Sequence, residues 1–375
     1  MSPSKRPLTV LQVLPALRSG GVERGTLDVA RALVAAGHRS LVMSAGGRLV
    51  ERLLAEGSEH LRRDIRRKSL LTLRHVWPLR RLLGAGDIDI VHVRSRLPAW
   101  IVWLAWKSLP VSRRPRLVST VHGPYRVNGY SSVMTFGERV IAISETILDY
   151  VRRHYQVPEE RLRLIYRGID PLEFPYGHIP SPEWLSRWQQ DFPQLRGRKL
   201  LALPARITRW KGQTDFLQLV ARLLEAGEPV HGVIIGDTQK GRERFRRELQ
   251  QQLESLGLST HITFIGHRSD LGEVMAISDI VFSLAREPEA FGRVPVEALS
   301  LGRPVIGYDH GGVGESLRAI YPAGLVPVGD IDAAVARTRD LLRAAPPVPS
   351  KQPFTLQRMT DATLAVYEEL CASPR

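Results

Sequence analysis

The sequence predicts an α/β protein of two domains, each a parallel sheet with crossover helices. Three observations carry that expectation. The chain has 375 residues, too many for one small core. Short apolar runs alternate with helical stretches almost throughout. A proline-rich break without clear periodicity divides that alternation in two.

Taken in order, Leu8–Leu14 reads as a buried strand and Val22–Ala36 as a helix, with Gly20-Gly21 between them. Ser40–Ser44, Ile88–Val93, Leu117–Val121 and Val140–Ile143 are further apolar runs of strand length, and Arg161–Tyr166 closes the series. Between Pro171 and Arg198 stand Pro175, Pro180, Pro182 and Pro193, as expected of an interdomain connection. A fresh alternation follows: Lys199–Leu203, a helix from Gly212, Gly232–Ile235, a helix to about Leu256, Ile262–Ile265, a short helix, Ile280–Leu284, a helix from Gly292, and Pro304–Tyr308. Past Pro346–Pro353 comes a last helix, about Leu356–Cys371. The expected division is a first domain over 1–172, a linker over 173–198, a second domain over 199–352, and a terminal helix over 353–375 packing back on the first.

Lysine and arginine total 53 against 38 acidic residues, a net charge of +15. Such a balance favours polyanionic partners: nucleic acid, anionic lipid or a phosphorylated substrate. A single cysteine, Cys371, excludes an internal disulfide and fits a reducing, cytoplasmic setting. Lys5-Arg6 followed by Leu8 to Leu17 has the look of a short signal peptide. Gln12, Pro15 and Arg18 interrupt it, and no small-residue cleavage site follows, so a first strand explains it better. No segment reaches the roughly 20 apolar residues of a spanning helix. A soluble or peripheral protein is expected.

The sharpest motif is Glu289-Ala290-Phe291-Gly292-Arg293-Val294-Pro295-Val296-Glu297. Its glycine falls where a strand-to-helix turn opens a helix, and free amides at a helix N-terminus attract phosphate. Glu289 is expected on the loop and Glu297 about two turns into the helix. A carboxylate offers several acceptor sites and no donor, so Glu289 suits sugar hydroxyls and Glu297 ribose hydroxyls. The bland reading is two solvated glutamates around a helix start. A second constellation, Arg206 and Lys211, lies just past a predicted strand, and two fixed cations there can hold a diphosphate as charge builds on it. Taken alone, they read as a surface charge pair.

Glu289 to Ile306, EAFGRVPVEALSLGRPVI, resembles the signature of glycosyltransferase family 4. That family of retaining GT-B enzymes includes sucrose synthase and lipopolysaccharide-core α-glucosyltransferases. Gly20-Gly21-Val22-Glu23-Arg24 resembles the family's amino-terminal glycine loop, and Ile141 to Asp170 its domain-end segment, so the likeness covers roughly residues 8 to 330. The resemblance implies two Rossmann-like domains facing each other across a donor and acceptor cleft. It implies that Arg206 and Lys211 take the leaving diphosphate in place of a metal, that His122 lies near the donor sugar, and that transfer proceeds on one face. Ala205 departs from the glycine that often precedes that arginine.

By the same likeness, Gly20 and Gly21 approach the donor, and His310 to Glu315 border its sugar. The loop of Gly266, His267, Arg268, Ser269 and Asp270 holds the base, largely through backbone. Phe291, Gly292 and Arg293 join Glu297 in the donor site. Neither cofactor nor metal is required on this reading; the donor is a nucleotide-diphosphate sugar, a UDP-sugar favoured, and the acceptor a glycan or glycolipid.

Two further segments concern the acceptor side. Arg62, Arg63, Arg66, Arg67, Lys68, Arg74, Arg80 and Arg81 are interleaved with leucines and offset by Asp64 alone, a pattern suited to anionic lipid or to core packing. Trp100, Trp103 and Trp106 share one helical face, which is either an interfacial belt or core. A phosphorylated lipid-linked acceptor such as lipopolysaccharide core fits that surface. The rival readings are an epimerase on the same scaffold and a basic nucleic-acid-binding protein, the second without any RNA-recognition or zinc signature.

Overall fold

Apolar runs with little polar alternation suit strands covered on both faces, and such strands pair in parallel. The computed structural model describes residues 6–18, 20–67, 69–238, 241 and 243–373. Ser19 and Lys68, both within segments named above, lie outside the described residues, as does the side chain of Leu70.

The first sheet contains β1 (Thr9–Val13), β2 (Arg39–Ser44), β3 (Glu59–Arg62), β4 (Ile90–Val93), β5 (Arg116–Val121), β6 (Arg139–Ala142) and β7 (Leu162–Leu164). Its order is β3-β2-β1-β4-β5-β6-β7. The second contains β8 (Lys199–Pro204), β9 (Val230–Ile235), β10 (Ile262–Gly266), β11 (Ile280–Ser283), β12 (Val305–Tyr308) and β13 (Leu325–Val326), in the order β10-β9-β8-β11-β12-β13. All pairings within both sheets are parallel. Each sheet therefore reverses its winding once, between β1 and β4 in one and between β8 and β11 in the other. Ligands of such sheets bind outside the carboxyl ends of the strands at that reversal.

The chain divides into two compact units, Met1–Arg167 with Leu356–Arg375, and Gly168–Thr355. The last helix, Leu356–Ala372, belongs to the first unit. It buries Met359, Val366, Tyr367 and Leu370 in a core with Val10, Val29, Leu33 and Ile90. Tyr367 bonds the Nδ1 of buried His92 at 2.6 Å, and Glu369 accepts from Arg139 and Arg163 at 2.5 and 2.6 Å.

The structure differs from the sequence-based expectation in the region read as a linker. Residues 168–198 fold with the second unit and include a helix, Pro182–Asp191. Ser181 caps it by accepting from the Trp184 amide at 3.2 Å, and Pro182 sits in its first turn, where a missing N–H costs nothing. Trp184 stacks on Trp188 with centroids 5.2 Å apart and donates to Asp270 at 2.8 Å. Strand β3 is a second departure, because an edge strand reading Glu-His-Leu-Arg lacks an apolar run.

The tryptophan stripe is half-buried on the helix Arg96–Lys107. Trp100 and Trp103 pack on Phe136, and the indoles of Trp100 and Trp106 donate to the carbonyls of Tyr130 and Pro115 at 2.8 and 2.7 Å. Among the described residues no helix is long and apolar enough to cross a membrane.

Candidate functional site

In the second unit the loops after β8 and β11, the pair at the reversal of the sheet, carry the predicted charged residues. The glycines that open their helices have a steric reason. Gly212, with φ +78°, precedes the helix Gln213–Glu225, and a Cβ on it would lie 2.0 Å from the carbonyl oxygen of Leu284. Gly292, with φ +69°, precedes the helix Arg293–Ser300, and a Cβ there would lie 2.7 Å from Val313 Cγ2. Both positions demand a left-handed residue without a side chain. Neither helix has a side-chain cap at its N-terminus.

Lys211 and Glu289 form an ion pair at 2.7 Å, with side chains 15% and 19% exposed. The Lys211 ammonium also lies 4.3 Å above the ring of Trp210. An ammonium has three donors, so Lys211 can keep Glu289 and still donate to an incoming oxyanion. Arg206 is exposed, while its carbonyl accepts from Gln213 Nε2 at 3.0 Å, which fixes the backbone beside β8. Glu297 is buried and accepts from Arg293 Nε at 3.0 Å. It lies five residues past Gly292, about 1.4 turns rather than the two expected.

Two other predicted residues have engaged side chains. The Phe291 ring is 4% exposed and packs edge-on against Phe354 at 5.6 Å. Arg268 pairs with Asp270 at 2.5 Å. The His267 amide donates to Asp237 Oδ1 at 3.0 Å, which shapes the loop after β10. On the loop after β12, His310 Nε2 donates to the Ala285 carbonyl at 2.6 Å, and the Gly312 amide donates to the Glu289 carbonyl at 2.8 Å.

Sequence reasoning missed one group. Asp215, wholly buried, accepts from Arg286 Nε and Nη2 at 2.9 and 2.6 Å and from the Tyr308 hydroxyl at 2.5 Å. Burial and then Asp215 push the Tyr308 hydroxyl well above its usual range. The Arg286 amide donates to the Trp210 carbonyl at 2.7 Å, so this group ties the loop of Lys211 to the loop of Glu289. Its three members come from separate elements, and no local signal marks them.

In the first unit, Gly20 precedes the helix Gly21–Ala35 without a side-chain cap. Gly21 has open space where a Cβ would stand. His122 follows β5, and its Nδ1 lies 2.8 Å from Arg167 Nη2. Burial first, then Arg167, Arg94 and His92, hold the His122 imidazole far below its ordinary range, so it is neutral at pH 7. That removes it as a ready cationic group.

Comparison with known proteins follows the same division. Residues 19–172 match the model of Glycosyltransferase Family 4, and residues 186–351 that of Glycosyl transferases group 1. The phosphatidyl-myo-inositol mannosyltransferase of Mycobacterium leprae is 29% identical over 279 residues, covering 71% of this chain and 68% of its own length. Matched stretches take in about two thirds of such curated relatives, 66% in another case. A glycosyltransferase from Rickettsia africae is 27% identical with a TM-score of 0.86, covering 99% of this chain and 100% of its own. HepE of Anabaena, solved with UDP and glucose, is 22% identical with a TM-score of 0.74 over 96% of this chain and 95% of its own. With both halves matched in order on two parallel sheets, the chain belongs to the two-domain GT-B glycosyltransferases of family 4.

Proposed function

We propose that this chain is a retaining glycosyltransferase moving a sugar from a nucleotide-diphosphate sugar to a membrane-associated glycan or glycolipid. The observation that carries the reading is the pairing of Lys211 with Glu289 at 2.7 Å, on loops that both leave the reversal point of the second sheet. There an ammonium and a sugar-binding carboxylate sit beside two helix starts without side-chain caps. On this reading Arg206 and Lys211 take the charge of the departing diphosphate, so no metal is needed for that task. Glu289 accepts from hydroxyls of the transferred sugar and Glu297 from the ribose. The leaving phosphate removes the acceptor proton on the same face, and the protein supplies position and fixed charge.

A UDP-sugar is the first donor to test, since HepE was solved with UDP and glucose. The test is thermal stability with UDP, GDP and ADP in the presence of EDTA. One nucleotide at about 100 times its Kd is expected to stabilise the protein by about 2.7 kcal/mol, and Glu297→Ala to abolish the shift. No shift at millimolar nucleotide with well-folded protein would sink the donor-site reading.

For the acceptor, the cytoplasmic membrane face is supported by Leu71, Leu73 and Trp77, which are 73%, 46% and 57% exposed. Arg80 and Arg81 stand 5.1 and 5.5 Å from the Trp77 ring. Apolar side chains among arginines suit an anionic interface, at about 1 kcal/mol per basic residue. A lipid-linked acceptor such as lipopolysaccharide core or another cell-surface polysaccharide precursor fits that surface, and the Mycobacterium leprae relative is named for a phosphatidyl acceptor. Flotation with vesicles containing phosphatidylglycerol should recover the protein, and Trp77→Ser with Arg80→Ser and Arg81→Ser should lower recovery at least tenfold. Equal recovery on neutral vesicles would count against an electrostatic contact.

A further inference from the structure

The contact between His122 and Arg167 specifies more than a distance. A guanidinium carries only donors, so at 2.8 Å from Arg167 Nη2 the Nδ1 of His122 must be the acceptor. A neutral ring with Nδ1 unprotonated holds its proton on Nε2. That Nε2 is shut off from solvent and has no hydrogen-bond partner among the described residues. Arg167 is only 7% exposed, and its place is built: a Cβ on Gly25 would lie 1.9 Å from Arg167 Nη1. Its Nη1 also stands 3.9 Å from Met359 Sδ.

We propose that Arg167 is a positioning residue that locks His122 in the neutral Nε2–H tautomer, so that the ring offers a hydrogen-bond donor to a sugar hydroxyl and cannot serve as a base. The inference rests on the sugar-transfer reading for its ligand, but the tautomer itself does not. An unpaired buried N–H is costly, and a hydroxyl oxygen supplies the missing partner. The charged and titratable groups acting on the ring are Arg167, Arg94 and His92, and its own backbone amide faces the Tyr125 hydroxyl at 3.3 Å. All three side chains oppose a second proton, so the tautomer should persist on mild acidification.

The experiment is two-bond nitrogen–proton correlation NMR on the full chain labelled at histidine, without sugar or nucleotide, from pH 8 to pH 5.5. His122 is assigned by its loss in His122→Gln. The expected spectrum shows Nδ1 unprotonated and Nε2 protonated, unchanged across the range. Arg167→Met should give a tautomer mixture that gains a proton nearer the ordinary imidazole value of about 6.5. Arg167→Lys, whose ammonium also only donates, should restore the Nε2–H form. In transfer assays Arg167→Met should lose roughly tenfold in kcat/KM, the worth of one hydrogen bond, with Arg167→Lys recovering most of it. An Nδ1–H tautomer or an imidazolium in the wild-type spectrum at pH 7 overturns the proposal, and so does an unchanged spectrum in folded Arg167→Met. Should Arg167→Met not fold, the wild-type and Arg167→Lys spectra decide. The expected spectrum in a protein that transfers no sugar would overturn the functional reading and leave the tautomer standing.

Discussion

Replacing Lys211 with methionine is expected to lower sugar transfer by roughly 10²- to 10³-fold, the range seen when one preorganised charge-stabilising donor is removed. The side chain is mostly buried, held by Glu289 at 2.7 Å and resting 4.3 Å from the Trp210 ring. A cation fixed in that way costs little reorganisation when charge develops on a leaving diphosphate. Methionine is one atom shorter and loses the cation over Trp210, but its unbranched apolar stem fills most of the same space, so packing is largely preserved. The substitution also leaves the Glu289 carboxylate without its cation, and Lys211→Met with Glu289→Gln separates that effect from the loss of charge on the leaving group. Initial rates of nucleotide release at saturating donor are the measurement. A loss below tenfold in folded protein would remove Lys211 from the chemistry.

Why Lys211 and Glu289 are legible in the sequence, and Asp215 is not, has a physical cause. Lys211 and Glu289 each follow a readable apolar strand and precede a glycine that opens a helix, so local pattern places both at strand ends. The strands themselves are legible for the same reason: runs such as Val233-Ile234-Ile235 are buried on both faces. The polar edge strand β3 carries no such mark. Pro182 reads as a breaker, although Ser181-Pro182-Glu183 is also how a helix begins. Residue type likewise hides the engagement of Phe291 with Phe354, whose partner is brought by the fold, whereas Arg268 and Asp270 pair within one loop, two residues apart. Arg167 stands inside a recognised segment, yet its contact with His122 joins the segments after β7 and β5 and has no local signature.

The group around Asp215 sets the second large effect, on stability: Asp215→Ala should destabilise the second unit by about 2–3 kcal/mol, because it removes charged hydrogen bonds and leaves the buried Tyr308 hydroxyl unsatisfied while the half-exposed Arg286 can hydrate. Arg286 is 53% exposed, so an ordinary surface pair would contribute little. The wholly buried carboxylate decides the matter. Without it the Tyr308 hydroxyl, itself buried, loses its acceptor, and Arg286 loses the anchor that holds its backbone amide on the Trp210 carbonyl. Tyr308→Phe removes one hydrogen bond and leaves Asp215 with Arg286, so it should cost less, about 1 kcal/mol. Urea unfolding of the two single variants and the double variant gives the coupling between them. Because the same contacts join the loops of Lys211 and Glu289, Tyr308→Phe should also reduce turnover while leaving the protein folded. If Asp215→Ala costs less than about 1 kcal/mol, the group is a surface pair in effect, and the two loops are held together by the Lys211–Glu289 ion pair, the bond from the Arg286 amide to the Trp210 carbonyl and the close approach of Gly212 to Leu284.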